Sequence, residues 1–160
     1  MTIKVLSANK DDYLEINTIV KEGQDEHAEA LPQIFKKVEP VMPISYFYEL
    51  IENPNCEILV AKNDESIVGF AVMELKHSPP FESMVPRKFV YMNDFGVKGL
   101  HQRQGIGRVL FQACVNWSKE MGAASLELNV WEFNRKATSF YESFGMNTIS
   151  RQMVLNLEQE

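Results

Sequence analysis

The stretch HQRQGIGRVLFQACVNW, residues 101–117, sets two glycines one residue apart, Gly105 and Gly107, among Gln102, Arg103, Gln104 and Arg108. An apolar run follows at once. Ile106, Leu110, Ala113, Trp117 and Met121 recur at helical spacing, and Gly122 stands where a C-terminal cap belongs. The pattern predicts a helix that begins near Gly107, directly after a glycine turn. The first N–H groups of such a helix lack intrahelical partners and carry partial positive charge. A phosphate group is a natural guest there, and glycine lets it approach with no Cβ in the way. Arg103 and Arg108 would add charge-assisted contacts. The same two glycines serve a plain tight turn before a helix equally well. Two familiar phosphate motifs do not fit. Leu110 stands where the dinucleotide fingerprint needs a third small residue, and no Gly-Lys-Ser/Thr ending makes a P-loop.

Working outward, FVYMNDFGV (89–97) reads as the third strand of a meander. Its first two strands are CEILVA (56–61) and SIVGFAVMEL (66–75), an antiparallel hairpin closed by KNDE. Membership of this meander argues against a βαβ role for 89–97. KHSPPFESMVPRK, with its prolines, reads as an exposed loop. At the start, TIKVLSA predicts a strand, and Tyr13, Ile16, Ile19 and Val20 predict a helix entered through Asp11 and Asp12. KEGQDEHAEALPQIFKKVEPVMP reads as irregular, with one short helix near Ile34, Phe35 and Val38. Ile44, Phe47, Tyr48 and Ile51 mark another helix that ends at NPN. Downstream, SLELNVW (125–131) alternates like a strand. Asn134 caps a short helix that turns Ala137, Phe140, Tyr141 and Phe144 inward and ends at Gly145. The tail MNTISRQMVLNL is strand-like again. The expectation is one domain, residues 1–160, of mixed α/β (α+β) class.

Composition narrows the function. The chain has 160 residues, 45% hydrophobic and 24% charged, which suits an ordinary globular domain. No apolar run is long enough to span a bilayer, and MTIKVLSANKDD has neither signal nor transit character, so a cytoplasmic protein with no membrane partner is expected. The net charge of −6, with Lys and Arg scattered, argues against a nucleic-acid partner. Cys56 and Cys114 read as reduced thiols. His27, His77 and His101 lie far apart with no zinc spacing, so no metal is expected.

Several motifs together carry a resemblance. Gln102-Arg103-Gln104-Gly105-Ile106-Gly107 resembles the Q/R-x-x-G-x-G/A pyrophosphate motif of the GNAT acetyltransferases. YMNDFGV resembles that family's fourth strand, and NVWEFNRKATSFYESFGM its fifth strand and following helix. In the pattern N-x-x-A-x-x-F-Y-x-x-x-G-F the positions are Asn134, Ala137, Phe140, Tyr141, Gly145 and Met146, the last departing from Phe. The resemblance covers about residues 89 to 147. It implies a mostly antiparallel sheet with helices on both faces and an acyltransferase that takes acetyl-CoA as co-substrate. It also implies that backbone N–H groups of Gln102, Arg103, Gln104, Gly105, Ile106, Gly107 and Arg108 hold the pyrophosphate. By the same resemblance the edge Phe95, Gly96 and Val97 pairs with the pantetheine arm, and splayed strands 89–97 and 125–131 open a gap for the thioester. Asn134, Ala137 and Phe140 complete the expected CoA contacts. A homodimer is compatible with this reading.

Acetyl transfer requires a neutral amine, which at pH 7 costs a Lys-like group of pKa about 10.4 roughly 4–5 kcal/mol. A base, directly or through water, supplies the proton sink. The oxyanion needs donors, and strand N–H groups near Val97 are candidates. Tyr141 is the candidate donor to the leaving sulfur, since a phenol stays protonated near neutrality. For the base, Asn93 stands where many family members carry an acid, and Asp94 is next to it. Strand alternation puts the two on opposite faces, so Asp94 is a base candidate but no simple substitute. Glu74 and Glu127 are further acids. Glu22, Asp25, Glu26, His27 and Glu29 fall where the family receives its acceptor, a small-molecule or peptide amine. They fit a cationic acceptor, and equally a solvated face. The competing functional class is a CoA-binding sensor or regulatory module without turnover.

Overall fold

The structure is a computed structural model that describes residues 2–102 and 104–158. By packing it separates into two units, Met1–Asn129 and Val130–Glu160.

The first unit is built on one five-stranded sheet of order β1-β2-β3-β4-β5. The strands are β1 (Ile3–Ser7), β2 (Cys56–Asn63), β3 (Ser66–His77), β4 (Lys88–Val97) and β5 (Leu126–Glu127). β1 to β4 pair antiparallel, and β5 joins β4 in parallel. The hairpin expected from KNDE is present, with Asn63 opposite Ser66 and Asp64 in the left-handed region at φ 57°. β4 closes the meander and, against the sequence expectation, also opens a β-α-β crossover through α3 (Ile106–Glu120). Parallel pairing needs such a crossover, and the helix after the glycine turn supplies it.

Helices cover both faces. α1 (Tyr13–Ala30) and α2 (Ile44–Glu52) set Tyr13, Ile16, Ile19, Val20, Phe47 and Leu50 against Ile58, Val60, Phe70 and Val72. Each such side chain fully buried contributes about 1.5–3 kcal/mol. α3 lies on the other face, where a Cβ on Gly69 would come within 3.3 Å of Leu110 Cδ2. Its buried row is Ile106, Leu110, Phe111, Cys114 and Ser118. The expected Ala113, Trp117 and Met121 are only half-buried. In its last turns the helix buries Cys114 and Ser118 where Trp117 and Met121 were expected, and Ser118 satisfies its hydroxyl by donating to Cys114 O at 2.8 Å.

α1 overrides the predicted irregular segment. It runs unbroken through Gly23 to Ala30, and no helix forms near Ile34, Phe35 and Val38. Residues 24–30 are nearly all good helix formers, and a single glycine costs only about 1 kcal/mol. The helix ends where Pro32 biases Leu31 toward extended backbone, φ −132°. β5 is also shorter than predicted. Its pairing stops at Tyr91 and Glu127, just before β4 bulges.

The second unit carries α4 (Arg135–Glu142). Asn134 caps it as predicted, with Oδ1 accepting from Ala137 N at 3.1 Å. It closes through Gly145 (φ 93°), whose N–H donates to Glu142 O at 2.9 Å, while Met146 N donates to Tyr141 O at 3.3 Å. That is the paired bonding of a glycine-terminated helix end. The predicted last strand is not formed: described residues after α4 belong to no strand, and residues 147–158 are exposed.

Candidate functional site

β4 carries the centre of the site. Its register to β3 slips by one residue: Val72 lies opposite Asp94, but Met73 lies opposite Met92. Asn93 is therefore the extra residue of a β-bulge. The bulge overturns the simple alternation. Asp94 pairs with Val72, whose side chain belongs to the core beneath α1 and α2, so Asp94 faces that same layer. Phe95 faces the opposite way, its ring edge-on to Phe111 of α3 at 6.1 Å. Gly96 faces α1 again, where a Cβ would come within 3.0 Å of Phe70 Cε1 and 3.1 Å of Ile19 Cγ2. Only glycine fits there without displacing a core ring.

Asp94 is the acid this geometry singles out. Burial pushes its carboxyl up to about 6, against two smaller opposing effects, the Phe95 N–H and the charge of His27. That N–H donates to Asp94 Oδ1 at 3.0 Å. Tyr46 of α2, raised chiefly by burial, also feels Cys56, Glu74 and Asp94. Burial and Glu74 likewise raise the Cys56 thiol. Asp94, Glu74, Tyr46, Cys56 and His27 thus converge from β4, β3, α2, β2 and α1. Tyr46 was missed by sequence reasoning. Its only signal is that it lies off the core-facing positions Phe47 and Leu50 of α2.

The other candidate groups have defined structural duties. Glu127 accepts from Arg87 Nη1 at 2.7 Å and from Ser125 Oγ at 2.9 Å, which ties it to the sheet end. Glu22 accepts from Gly99 N at 2.9 Å, so α1 holds the loop after β4. Asp25 pairs with Lys21 at 3.1 Å and Glu29 with Lys37 at 3.0 Å. His27 Nδ1 meets Gly23 O at 2.7 Å. Most of the acidic stretch is therefore bound into the fold. Cys114 is buried, and burial pushes its thiol up to about 12, which disqualifies it as a nucleophile.

Past Val97 the chain turns through Gly99–His101 into the glycine stretch. Gln102 Nε2 donates back to Val97 O at 3.1 Å and holds the turn to the strand end. Arg103, one of the expected cradle residues, lies outside the described residues. Gln104 and Gly105 are exposed, Ile106 is a buried anchor, Gly107 is half-buried and Arg108 is exposed. Gly105 caps α3 at φ 83°, and a Cβ there would meet nothing within 4 Å. The first ladder bond of α3 is Val109 N to Gly105 O at 3.2 Å, so the helix begins at the turn and its first amides have no partner within the helix. Arg103 aside, the first unit therefore brings Asp94, Phe95, Gly96, Val97 and the described turn residues from Gln102 to Arg108 onto one continuous path. From Met92 on, β4 has no ladder partner on the β5 side among the described residues. Asn129 Nδ2 donates to Tyr91 OH at 2.6 Å where the two strands part.

Asn134, Ala137, Phe140 and Tyr141 belong to the second unit. There Phe140 packs edge-on to Tyr141 at 5.5 Å and to Phe144 at 5.1 Å, and the inward set predicted for α4 is its half-buried face.

The chain is similar to known proteins in sequence and in fold. The model of the acetyltransferase (GNAT) family matches residues 23–146. A putative [ribosomal protein bS18]-alanine N-acetyltransferase of Bacillus subtilis (strain 168) is 28% identical over 102 residues, 64% of this chain and 61% of the relative. The chain thus spans about three fifths of that curated relative's length. Among solved structures, a tetramutant of the BH1408 protein from Bacillus halodurans is 30% identical, with a TM-score of 0.92 over 98% of this chain and 100% of that one. The aminoglycoside N-acetyltransferase AAC(6')-Iy in complex with CoA shares the fold, at a TM-score of 0.74 and 14% identity over 97% of this chain and 94% of that one.

Proposed function

We propose that this chain, which belongs to the acetyltransferase (GNAT) family, is an N-acetyltransferase that moves an acetyl group from acetyl-CoA to a primary amine by direct attack on the thioester. One observation carries the reading. Among the described residues β4 is open on one side from Met92, and it runs past a partly buried acid directly into a glycine turn that starts a helix.

The residues fit CoA. The turn leaves room at Gly105 for a phosphate oxygen, and a helix N-terminus favours the negative charge. The open side of β4 can accept an extended pantetheine arm as an added strand. Of the N–H groups there, that of Val97 suits this role: Phe95 N–H is turned to Asp94, and alternation from Lys98, whose N–H donates to Val68 O on β3, puts Gly96 N–H on the β3 side. CoA in the structurally similar aminoglycoside acetyltransferase is consistent with the choice of co-substrate.

Asp94 is the base. Its carboxyl, raised to about 6, is mostly ionised at pH 7 yet basic enough to take a proton from an incoming ammonium, directly or through water. Glu74 lies on the same face and adds negative potential, which favours a cationic acceptor. The neutral amine then attacks the thioester carbon, and strand N–H groups near Val97 hold the oxyanion. Collapse breaks the C–S bond, Tyr141 donates a proton to the departing sulfur, and the proton shed by the acetylated nitrogen returns through water to the phenolate. The acceptor is a small-molecule or peptide amine, with no role for nucleic acid or a membrane.

The test is the melting temperature with acetyl-CoA, with ATP and NAD as controls, followed by thiol release over an amine panel. At about 1,000 times its dissociation constant a ligand stabilises by roughly 4 kcal/mol, a rise of many degrees at this size. A rise with ATP or NAD alone, or with no ligand, overturns the turn assignment. Tight acetyl-CoA binding with no thiol release over the panel favours the sensor module instead.

A further inference from the structure

We propose that Gly23 decides which amine this chain accepts. The missing side chain leaves a narrow way between α1 and β4 to Asp94. That way admits an amine on an unbranched carbon, an aminomethyl group, ahead of an amine on a branched carbon. The inference rests on the acetyltransferase reading above and narrows its acceptor.

The first observation is a half-buried glycine in a buried row. Gly23 stands seven residues after Ile16, four after Ile19 and three after Val20, so it continues their sheet-facing row on α1. Those three side chains are buried, whereas Gly23 is half-buried. Outside its own helix, a Cβ on Gly23 would meet none of the described residues within 4 Å. No close neighbour forces a glycine here, and the residue weakens the helix relative to alanine. What it provides is space.

The second observation is where that space lies. One turn before Gly23, α1 closes on the strand: a Cβ on Gly96 would come within 3.1 Å of Ile19 Cγ2. One turn after Gly23, His27 is near enough for its charge to act on Asp94. Asp94 and Gly96 are successive residues on one face of β4. Gly23, between Ile19 and His27, therefore spans the interval from Gly96 to Asp94, and its space opens toward the carboxyl. Ties on both sides fix α1 at this point. Glu22 accepts from Gly99 N at 2.9 Å, and Gln24 Nε2 donates to Lys36 O at 2.9 Å. His27 Nδ1 donates to Gly23 O at 2.7 Å, since a carbonyl oxygen only accepts, and its ring stands edge-on to Phe35 at 5.2 Å.

These dimensions select the guest. A space one side chain wide passes a methylene stem, and a carbon with a second branch needs more room. The titratable groups around Asp94 are His27 of α1, Tyr46 of α2, Cys56 of β2 and Glu74 of β3, the last paired with Lys76 at 3.8 Å.

The test compares the unaltered chain with Gly23→Ala and Gly23→Leu. n-Butylamine and sec-butylamine are isomers that differ in branching at the amine-bearing carbon. In thiol release the unaltered chain should favour n-butylamine by about tenfold or more in kcat/KM. Gly23→Ala should widen that preference, and Gly23→Leu should lose both amines, with acetyl-CoA affinity in calorimetry unchanged. Equal rates with the two isomers, a preference for the branched one, or no rate with either overturns the aminomethyl selection. A purely structural glycine predicts the opposite for Gly23→Leu, a higher melting temperature with turnover intact, and that result also sinks the proposal. Should Gly23→Leu not fold, Gly23→Ala carries the test alone. Carbon-13 titration of the Asp94 carboxyl follows the space without catalysis. Gly23→Leu should shut water out and move the midpoint above about 6, and an unmoved midpoint means that the space does not open onto Asp94. Failure of the acetyltransferase reading shows instead as no thermal shift with acetyl-CoA, and the titration then still decides where the space leads.

Discussion

β4 is two regions in one strand. From Lys88 to Tyr91 it is paired on both sides: Val90 lies opposite both Leu75 and Leu126 and is fully buried. From Met92 to Val97 it is paired on one side only, and between the halves stands the bulge at Asn93. The first half can do little but hold the sheet. The second holds a partly buried acid and a glycine against α1, and it leads into a turn where a Cβ on Gly105 would meet none of the described residues within 4 Å. In the proposed mechanism, function in this strand sits where pairing stops. The bulge both bends the backbone away from β5 and re-aims Asp94.

The contrast can be broken from either half. The largest effect is expected at the end of the open half. Gly105→Glu puts a carboxylate into the turn and should abolish acetyl-CoA binding in calorimetry while the melting temperature without ligand stays within a few degrees. Retained affinity would remove the turn from the site. Asp94→Asn should lower turnover about 10²–10⁴-fold with little change in acetyl-CoA affinity. The pH profile sharpens the point. Turnover should rise with pH through about 6 and then level off, as the carboxyl ionises.

The same group sets a stability slope of known sign. The folded carboxyl keeps its proton up to about 6, whereas the unfolded one gives it up near 3.8. Folded protein thus binds more protons between these values, and stability falls as pH rises from about 4 through 6. Asp94→Asn should remove that slope and be more stable at pH 7 by on the order of 1–3 kcal/mol in denaturant titration. A variant less stable at pH 7 would argue against a buried, destabilising carboxylate. In the closed half, Val90→Ala should cost about 2 kcal/mol of stability and leave acetyl-CoA affinity unchanged. A tenfold change in affinity would erase the division between the halves. The smallest effect is expected for Gln102→Ala. It loses one bond to the Val97 carbonyl, so the dissociation constant should rise only several-fold.

Much of this was legible in the sequence because local rules decided it. The hairpin, α2, the Asn134 cap and the glycine turn each follow from residues within a few positions of one another. So did the order of motifs that resembles an acetyltransferase. The sequence misled where distant packing decided. α1 passes through Gly23, and Glu22 beside that glycine is held by the distant Gly99 N–H. Which row of α3 is buried depends on how near the sheet lets the helix come, set by Gly69 and Leu110. The bulge is a matter of register between two strands, and no single strand announces it. Tyr46 was invisible for a similar reason, since it meets Asp94 and Glu74 only after α2 has folded over the sheet.

The bulge has a consequence in terms of parity. A strand's side chains alternate, so every residue after an insertion changes sides. One extra residue at Asn93 puts Asp94 and Gly96 toward α1 and Phe95 toward α3. Drawing Asn93 into the regular ladder, with no bulge to absorb it, would invert all three at once. The acid would be thrust at Phe111, and the phenyl ring into the space that Gly96 keeps clear for Ile19 and Phe70. The facing of these three residues therefore depends on the bulge absorbing Asn93 as well as on their identity.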